Sequence, residues 1–130
     1  MVISPMPSFA RADASTQRLR LLAVDDGLRL PENLEVVLTV EGGPEANKSF
    51  TLSKARTVIG RKGADIALED PEISRHHCVI EVRERFVNLK DLDSTNGTFF
   101  EGERARAAVL QEGAIFRIGS SLIRVTFRSK

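Results

Sequence analysis

From residue 34 onward the chain is built of short runs in which apolar and polar residues alternate, each closed by a turn signal. That pattern constrains the fold more than any other feature. Leu34, Val36, Leu38 and Val40 alternate with Glu35, Val37, Thr39 and Glu41 until Gly42-Gly43-Pro44 stops the run. A period of two puts one set of side chains on each face of a strand, so a core need cover only one face. Similar runs recur at Ser49–Leu52, Thr57–Ile59, Cys78–Val82, Arg85–Leu89, Thr98–Phe100, Ala114–Ile118 and Leu122–Arg128. Turns are expected at Gly60-Arg61, Arg83-Glu84, Glu101-Gly102 and Gly119-Ser120. Many short strands spaced by about 8 to 12 residues imply an all-β sandwich or barrel with little or no helix. Two sheets packed face to face would bury the apolar sides and leave the charged residues outward.

The first quarter of the chain reads differently. Residues 1–33 form an N-terminal extension and 34–130 the folded domain. Pro5, Pro7, Ser4, Ser8 and Ser15 sit in a stretch with no sustained period, so the first half of the extension is expected to be disordered and flexible. Residues 18–24 could add a strand or start a short helix before the Asp25-Asp26-Gly27 turn.

Composition excludes several classes of function. The 130 residues carry 19 basic and 18 acidic side chains, interspersed, for a net charge of +1. No basic stripe of the kind that binds nucleic acid is present. No apolar run approaches the roughly 20 residues that cross a bilayer, and no secretory leader is visible, so a cytoplasmic protein is expected. Cys78 is the only cysteine; it rules out an internal disulfide and a multi-cysteine metal site, and reads as a small hydrophobe in a strand. His76, His77 and Cys78 invite a metal reading. Successive strand residues point to opposite faces, however, and no further Cys or His completes a shell, so neither metal nor cofactor is expected. There is no nucleophile elbow, phosphate-binding P-loop or kinase signature, so the chain reads as non-catalytic.

Three polar stretches interrupt the strands: Ile59-Gly60-Arg61, Ser74-Arg75-His76-His77 and Ser94-Thr95-Asn96-Gly97-Thr98. Together they offer two guanidinium groups, several hydroxyls and an amide on loops of a small sheet fold. Arginine presents a rigid fork of donors, and hydrogen bonds to a charged acceptor are roughly twice as strong as neutral ones. Asparagine both donates and accepts, so it can hold an extended main chain beside an anion. The set suits a phosphorylated peptide.

These segments resemble the signature of the forkhead-associated (FHA) domain, a phosphothreonine-recognition module. Arg61 and Ser74 are thirteen residues apart, with Asp65-Ile66-x-Leu68-x-Asp70-x-x-Ile73 between them. Asp91-Leu92-x-Ser94 leads into the third loop, Phe99-Phe100-x-Gly102 follows it, and the likeness covers roughly residues 34 to 129. It implies a β-sandwich of two antiparallel sheets with about eleven strands. It also implies that Arg61 is the main phosphate ligand, helped by Ser74, Arg75 and Thr95, while Asn96 holds the peptide backbone. Gly60, His77 and Gly97 would support the loops; Lys62 is a bystander and His76 is expected to be exposed.

The expected function is a non-catalytic reader of phosphothreonine downstream of a Ser/Thr protein kinase. A phosphate-independent scaffold built on the same sandwich is the alternative, although the donor set is intact. Thr16 is the only threonine of the tail. The 17 residues between it and Leu34 reach about 55 Å when extended, so phosphorylated Thr16 could occupy the domain's own site.

Overall fold

The computed structural model describes residues 28–83 and 86–130. Eleven strands are present: β1 (Leu34–Gly42), β2 (Ser49–Thr51), β3 (Arg56–Gly60), β4 (Ile66–Ala67), β5 (Cys78–Val82), β6 (Val87–Asp91), β7 (Thr98–Phe100), β8 (Glu103–Arg104), β9 (Ala107–Leu110), β10 (Ile115–Ile118) and β11 (Ser121–Ser129). They form a six-stranded sheet in the order β2-β1-β11-β10-β7-β8 and a five-stranded sheet in the order β4-β3-β5-β6-β9. There is no helix among the described residues. The pairings are antiparallel except β3–β4, which is parallel.

Alternation along each strand decides what is buried. On the long β1–β11 ladder, Val36, Leu38 and Val40 lie opposite Phe127, Val125 and Ile123. All six turn toward the other sheet, with Phe116 and Ile118 of β10 beside them. The five-stranded sheet answers with Ile59, Cys78, Ile80, Val82, Val87, Leu89 and Leu110, and Leu68 and Ile73 close the core from the β4–β5 loop. Burying side chains of this size contributes about 1.5–3 kcal/mol each before the entropy of ordering is charged against it. Cys78 is one of these core residues, fully buried. Burial, and secondarily the Asp91 carboxylate, pushes its thiol far above the ordinary pKa, which keeps it an unreactive thiol.

Several expectations concern residues outside those described: the tail with Thr16, the 18–24 segment, the Glu84 half of the Arg83-Glu84 turn and a strand start at Arg85. β5 and β6 do pair back on each other, beginning at Val82 and Val87. Residues 28–33, placed in the extension from sequence, are attached to the sandwich. The Arg29 N–H donates to the Val82 carbonyl, the Asn33 carbonyl accepts from the Lys130 N–H, and Leu30 packs against the core.

Register explains why three distant loops meet. Ile59, Cys78 and Asp91 lie side by side across β3, β5 and β6. The chain leaves β3 after Gly60, enters β5 at Cys78 and leaves β6 after Asp91, so all three polar stretches emerge at one edge. Ile118 faces Thr98 across the other sheet, which brings the β10–β11 turn to the same end.

Candidate functional site

The loops are stitched together by their own hydrogen bonds. The Arg61 N–H donates to the carbonyls of Ser74 (3.0 Å) and Arg75 (3.2 Å), joining the first stretch to the second. Gly60 makes this possible. Its φ is not in the left-handed region. What matters is space: a β-carbon there would lie 1.8 Å from the Arg75 carbonyl oxygen.

His77 joins the second stretch to the third. Its Nδ1 accepts from the Ser74 N–H (3.0 Å) and its Nε2 donates to the Gly97 carbonyl (2.8 Å). The ring is fully buried, and this pattern fixes the neutral imidazole with its proton on Nε2. Both nitrogens are thereby used within the protein. His76 is exposed and only approaches the Gly63 carbonyl, at 3.4 Å. Among the described residues, no group of three or more His, Cys, Asp or Glu side chains is arranged to hold a metal.

Two further bonds set the third loop against the second. The Thr95 N–H donates to Ser74 Oγ (2.9 Å), and Asn96 Nδ2 donates to the Glu72 carbonyl (2.8 Å). Ser74 Oγ is therefore held as an acceptor while its own proton remains available. Asn96 keeps its Oδ1 and one N–H for another partner. Thr95 and Asn96 are both exposed. Gly97 has a φ of +91°, and a β-carbon there would meet Arg104 Nε at 2.6 Å, so both conformation and space demand glycine. The Asn-Gly pair does make a turn, but not a hairpin. It carries the chain from the five-stranded sheet to the six-stranded one.

The guanidinium groups of Arg61 and Arg75 are exposed, with no hydrogen-bond or ion-pair partner among the described residues. Asp65 is occupied elsewhere, with Lys54 at 2.8 Å and the Val58 N–H at 2.8 Å. Other arginines of the sandwich do pair: Arg56 with Glu81, Arg124 with Glu41 and Arg128 with Glu35.

Residues 57–119 match the family model of the FHA domain. The glycogen accumulation regulator GarA of Mycobacterium tuberculosis is 37% identical over 112 residues, which is 85% of this chain and 68% of that protein. The oxoglutarate dehydrogenase inhibitor of Corynebacterium glutamicum is 36% identical over 92 residues, 68% of this chain and 64% of that protein. Among solved structures, Mycobacterium tuberculosis EmbR in complex with a low-affinity phosphopeptide superposes with a TM-score of 0.65 at 30% identity, over 74% of this chain and 25% of that one. The chain belongs to the FHA domain family.

Within this FHA sandwich, one half-buried carboxylate, Asp91, and one fully buried one, Asp70, organise the site, and the sequence reading gave neither a role. Asp91 accepts from the hydroxyls of Ser94 and Thr98 and from the Ser94 N–H, and Ser94 Oγ in turn accepts from the Gly97 N–H (3.0 Å). Asp70 is fully buried under the β10–β11 turn. Its Oδ2 accepts from the Ser120 N–H (2.9 Å), Ser120 Oγ (2.9 Å) and Ser121 Oγ (2.8 Å), and its Oδ1 from the Glu72 N–H (2.9 Å). For each carboxyl, burial is the largest influence and pushes the pKa up. The hydrogen bonds together outweigh it and hold the group below its ordinary value.

Proposed function

We propose that this FHA domain is a non-catalytic reader of phosphothreonine in a protein partner, acting downstream of a Ser/Thr kinase. One observation carries the reading: Ser74 Oγ, pinned by the Thr95 N–H with its proton to spare, sits on loops bearing two guanidinium groups that have no partner among the described residues. Phosphate carries about −1.5 to −2 charges at neutral pH and three strong acceptors, which matches this surplus of donors. In this reading Arg61, Ser74, Arg75 and Thr95 hold the phosphate. Asn96 holds the peptide main chain through its free amide oxygen and N–H. The names of the relatives, a regulator and an inhibitor, accord with action through binding rather than catalysis, and a cytoplasmic setting accords with a kinase partner.

The test is calorimetric titration with phosphothreonine peptides, their unphosphorylated counterparts and the Arg61→Ala protein. Binding that needs both phosphate and Arg61 is the expected result. Binding indifferent to both would favour the phosphate-independent scaffold instead. The same titration tests Thr16 as a regulatory site. Kinase treatment of the full chain should abolish peptide binding in the wild type but not in Thr16→Ala, and equal binding by the two treated proteins would end that idea.

A further inference from the structure

The unpaired arginines do not stop at the phosphate loops. Arg104, Phe99 and Arg117 lie side by side across β8, β7 and β10, and Leu122 of β11 continues the row. The row runs along the outer face of the six-stranded sheet. Arg104 begins it directly behind the third loop, with Nη2 3.5 Å from the Ser94 carbonyl and Nε against Gly97. Arg117 lies over the Phe99 ring, its guanidinium carbon 4.2 Å from the ring centre, and donates one N–H to the Gly119 carbonyl (2.9 Å). Leu122 is 40% exposed at the far end.

Neither Arg104 nor Arg117 has a carboxylate partner among the described residues, in contrast to Arg124 of the neighbouring strand, which is held by Glu41. Glu103, the nearest acid along β8, lies opposite Phe100, one register position away from Arg104, so alternation turns it to the other face. Arg117 is also preorganised. Stacking on Phe99 and the bond to Gly119 already restrict its rotamers, so less entropy is lost when it binds an anion. Moreover the strip cannot drift from the phosphate loops. Asp70 ties the Gly119-Ser120 turn to the segment that carries Glu72 and Ser74, and Asn96 is bonded to that same segment.

We propose that the Arg104–Phe99–Arg117–Leu122 strip is a second contact surface for the phosphoprotein, taking acidic side chains that flank its phosphothreonine. This rests on the phosphothreonine reading above and extends it from the phosphate to the sequence around it. Two cations with spare donors, an aromatic floor and an apolar end fit a short acidic segment bearing one apolar residue. Charge complementarity of this kind selects among partners and speeds encounter more than it raises affinity.

The experiment compares phosphothreonine peptides carrying three Asp residues on the N-terminal or the C-terminal flank with otherwise identical Asn peptides. Each is titrated against the wild type, Arg117→Ala, Arg117→Glu and Arg61→Ala. One Asp flank should bind about five- to tenfold more tightly than its Asn counterpart. That advantage should shrink in Arg117→Ala, reverse in Arg117→Glu and fall with added salt. Phosphate dependence should survive both Arg117 substitutions, because Arg117 does not touch the phosphate loops' hydrogen bonds. Phosphate-dependent binding with no Asp advantage on either flank, or an advantage unchanged in Arg117→Glu, overturns the strip. Loss of phosphate dependence in the wild type overturns the parent reading, and the strip with it.

Discussion

Asp70 makes the strongest quantitative demand on the structure. Its carboxylate is fully buried and takes four hydrogen bonds, three of them from the β10–β11 turn fifty or more residues away. Asp70→Ala would strand the buried Ser121 hydroxyl and free the Ser120 and Glu72 N–H groups. A buried unsatisfied donor costs about 1–3 kcal/mol, and hydrogen bonds to a charged acceptor are each worth about 1.5–3 kcal/mol. Relief from burying a charge returns part of this, so a net loss of about 3–5 kcal/mol is expected at pH 7. For a domain stable by about 5–15 kcal/mol that is a large share, and urea unfolding measures it directly. The pH dependence is a sharper check. Because the folded pKa is depressed, the unfolded chain binds the proton first as pH falls, and stability drops with it. The contribution is complete above about pH 4, the ordinary carboxylate value, and is lost as pH falls through the depressed value. Asp70→Asn should lack this part of the acid-side slope, leaving that from the other depressed carboxylates, Asp91, Asp65 and Glu45. A loss below about 1 kcal/mol, or a difference between wild type and Asp70→Asn that stays constant into acid, would refute the assignment.

Two other substitutions probe the loop scaffold. Gly60→Ala forces a β-carbon onto the Arg75 carbonyl, whereas Gly63→Ala, at a φ of +73°, meets nothing within 4 Å. The first should cost about 3 kcal/mol or more as overpacking and the second about 1 kcal/mol as backbone strain; equal urea midpoints would show that the close approach is not there. His77→Leu removes both ring contacts and leaves the Ser74 N–H without its acceptor. It should destabilise by about 2–4 kcal/mol. At temperatures where the variant is still folded, phosphopeptide binding should also weaken, although every side chain proposed to hold the phosphate remains; calorimetry showing wild-type affinity would separate His77 from the site.

How much of this could be read from sequence depended on how far each residue's partners lie along the chain. The strands with sustained alternation were evident, because period two is a local signal carried by residues such as Val36, Leu38 and Val40. The two-residue strands β4 and β8 are too short to show a period, and β9, Ala-Ala-Val-Leu, alternates weakly. The loop residues were legible because Gly60-Arg61, Ser74-Arg75 and Thr95-Asn96 carry a side-chain chemistry that announces an anion. Asp70 was not, since an aspartate near a proline looks like any turn residue until Ser120 and Ser121 are brought to it. At Gly60 the sequence indicates only a turn, and the fold is needed to reveal a carbonyl where the β-carbon would be.

The same bonds explain why the site can stay charged and open without a ligand. The scaffold is satisfied by groups other than Arg61 and Arg75: the neutral His77 ring, the Asp70 and Asp91 carboxylates, serine and threonine hydroxyls and main-chain N–H groups. Loop geometry therefore does not depend on Arg61 or Arg75, whose side chains contribute no bond to it. Had either arginine been needed to neutralise a scaffold carboxylate, binding an anion would have meant breaking that pair first. Here the carboxylates are quenched by neutral donors at the base of the loops, so an incoming phosphate would meet cations with no competitor among the described residues. Arg61→Ala should accordingly abolish phosphopeptide binding while shifting the urea midpoint hardly at all, whereas Asp70→Ala should move the midpoint strongly. An Arg61→Ala protein as unstable as Asp70→Ala would break this separation between the groups that build the site and the groups that use it.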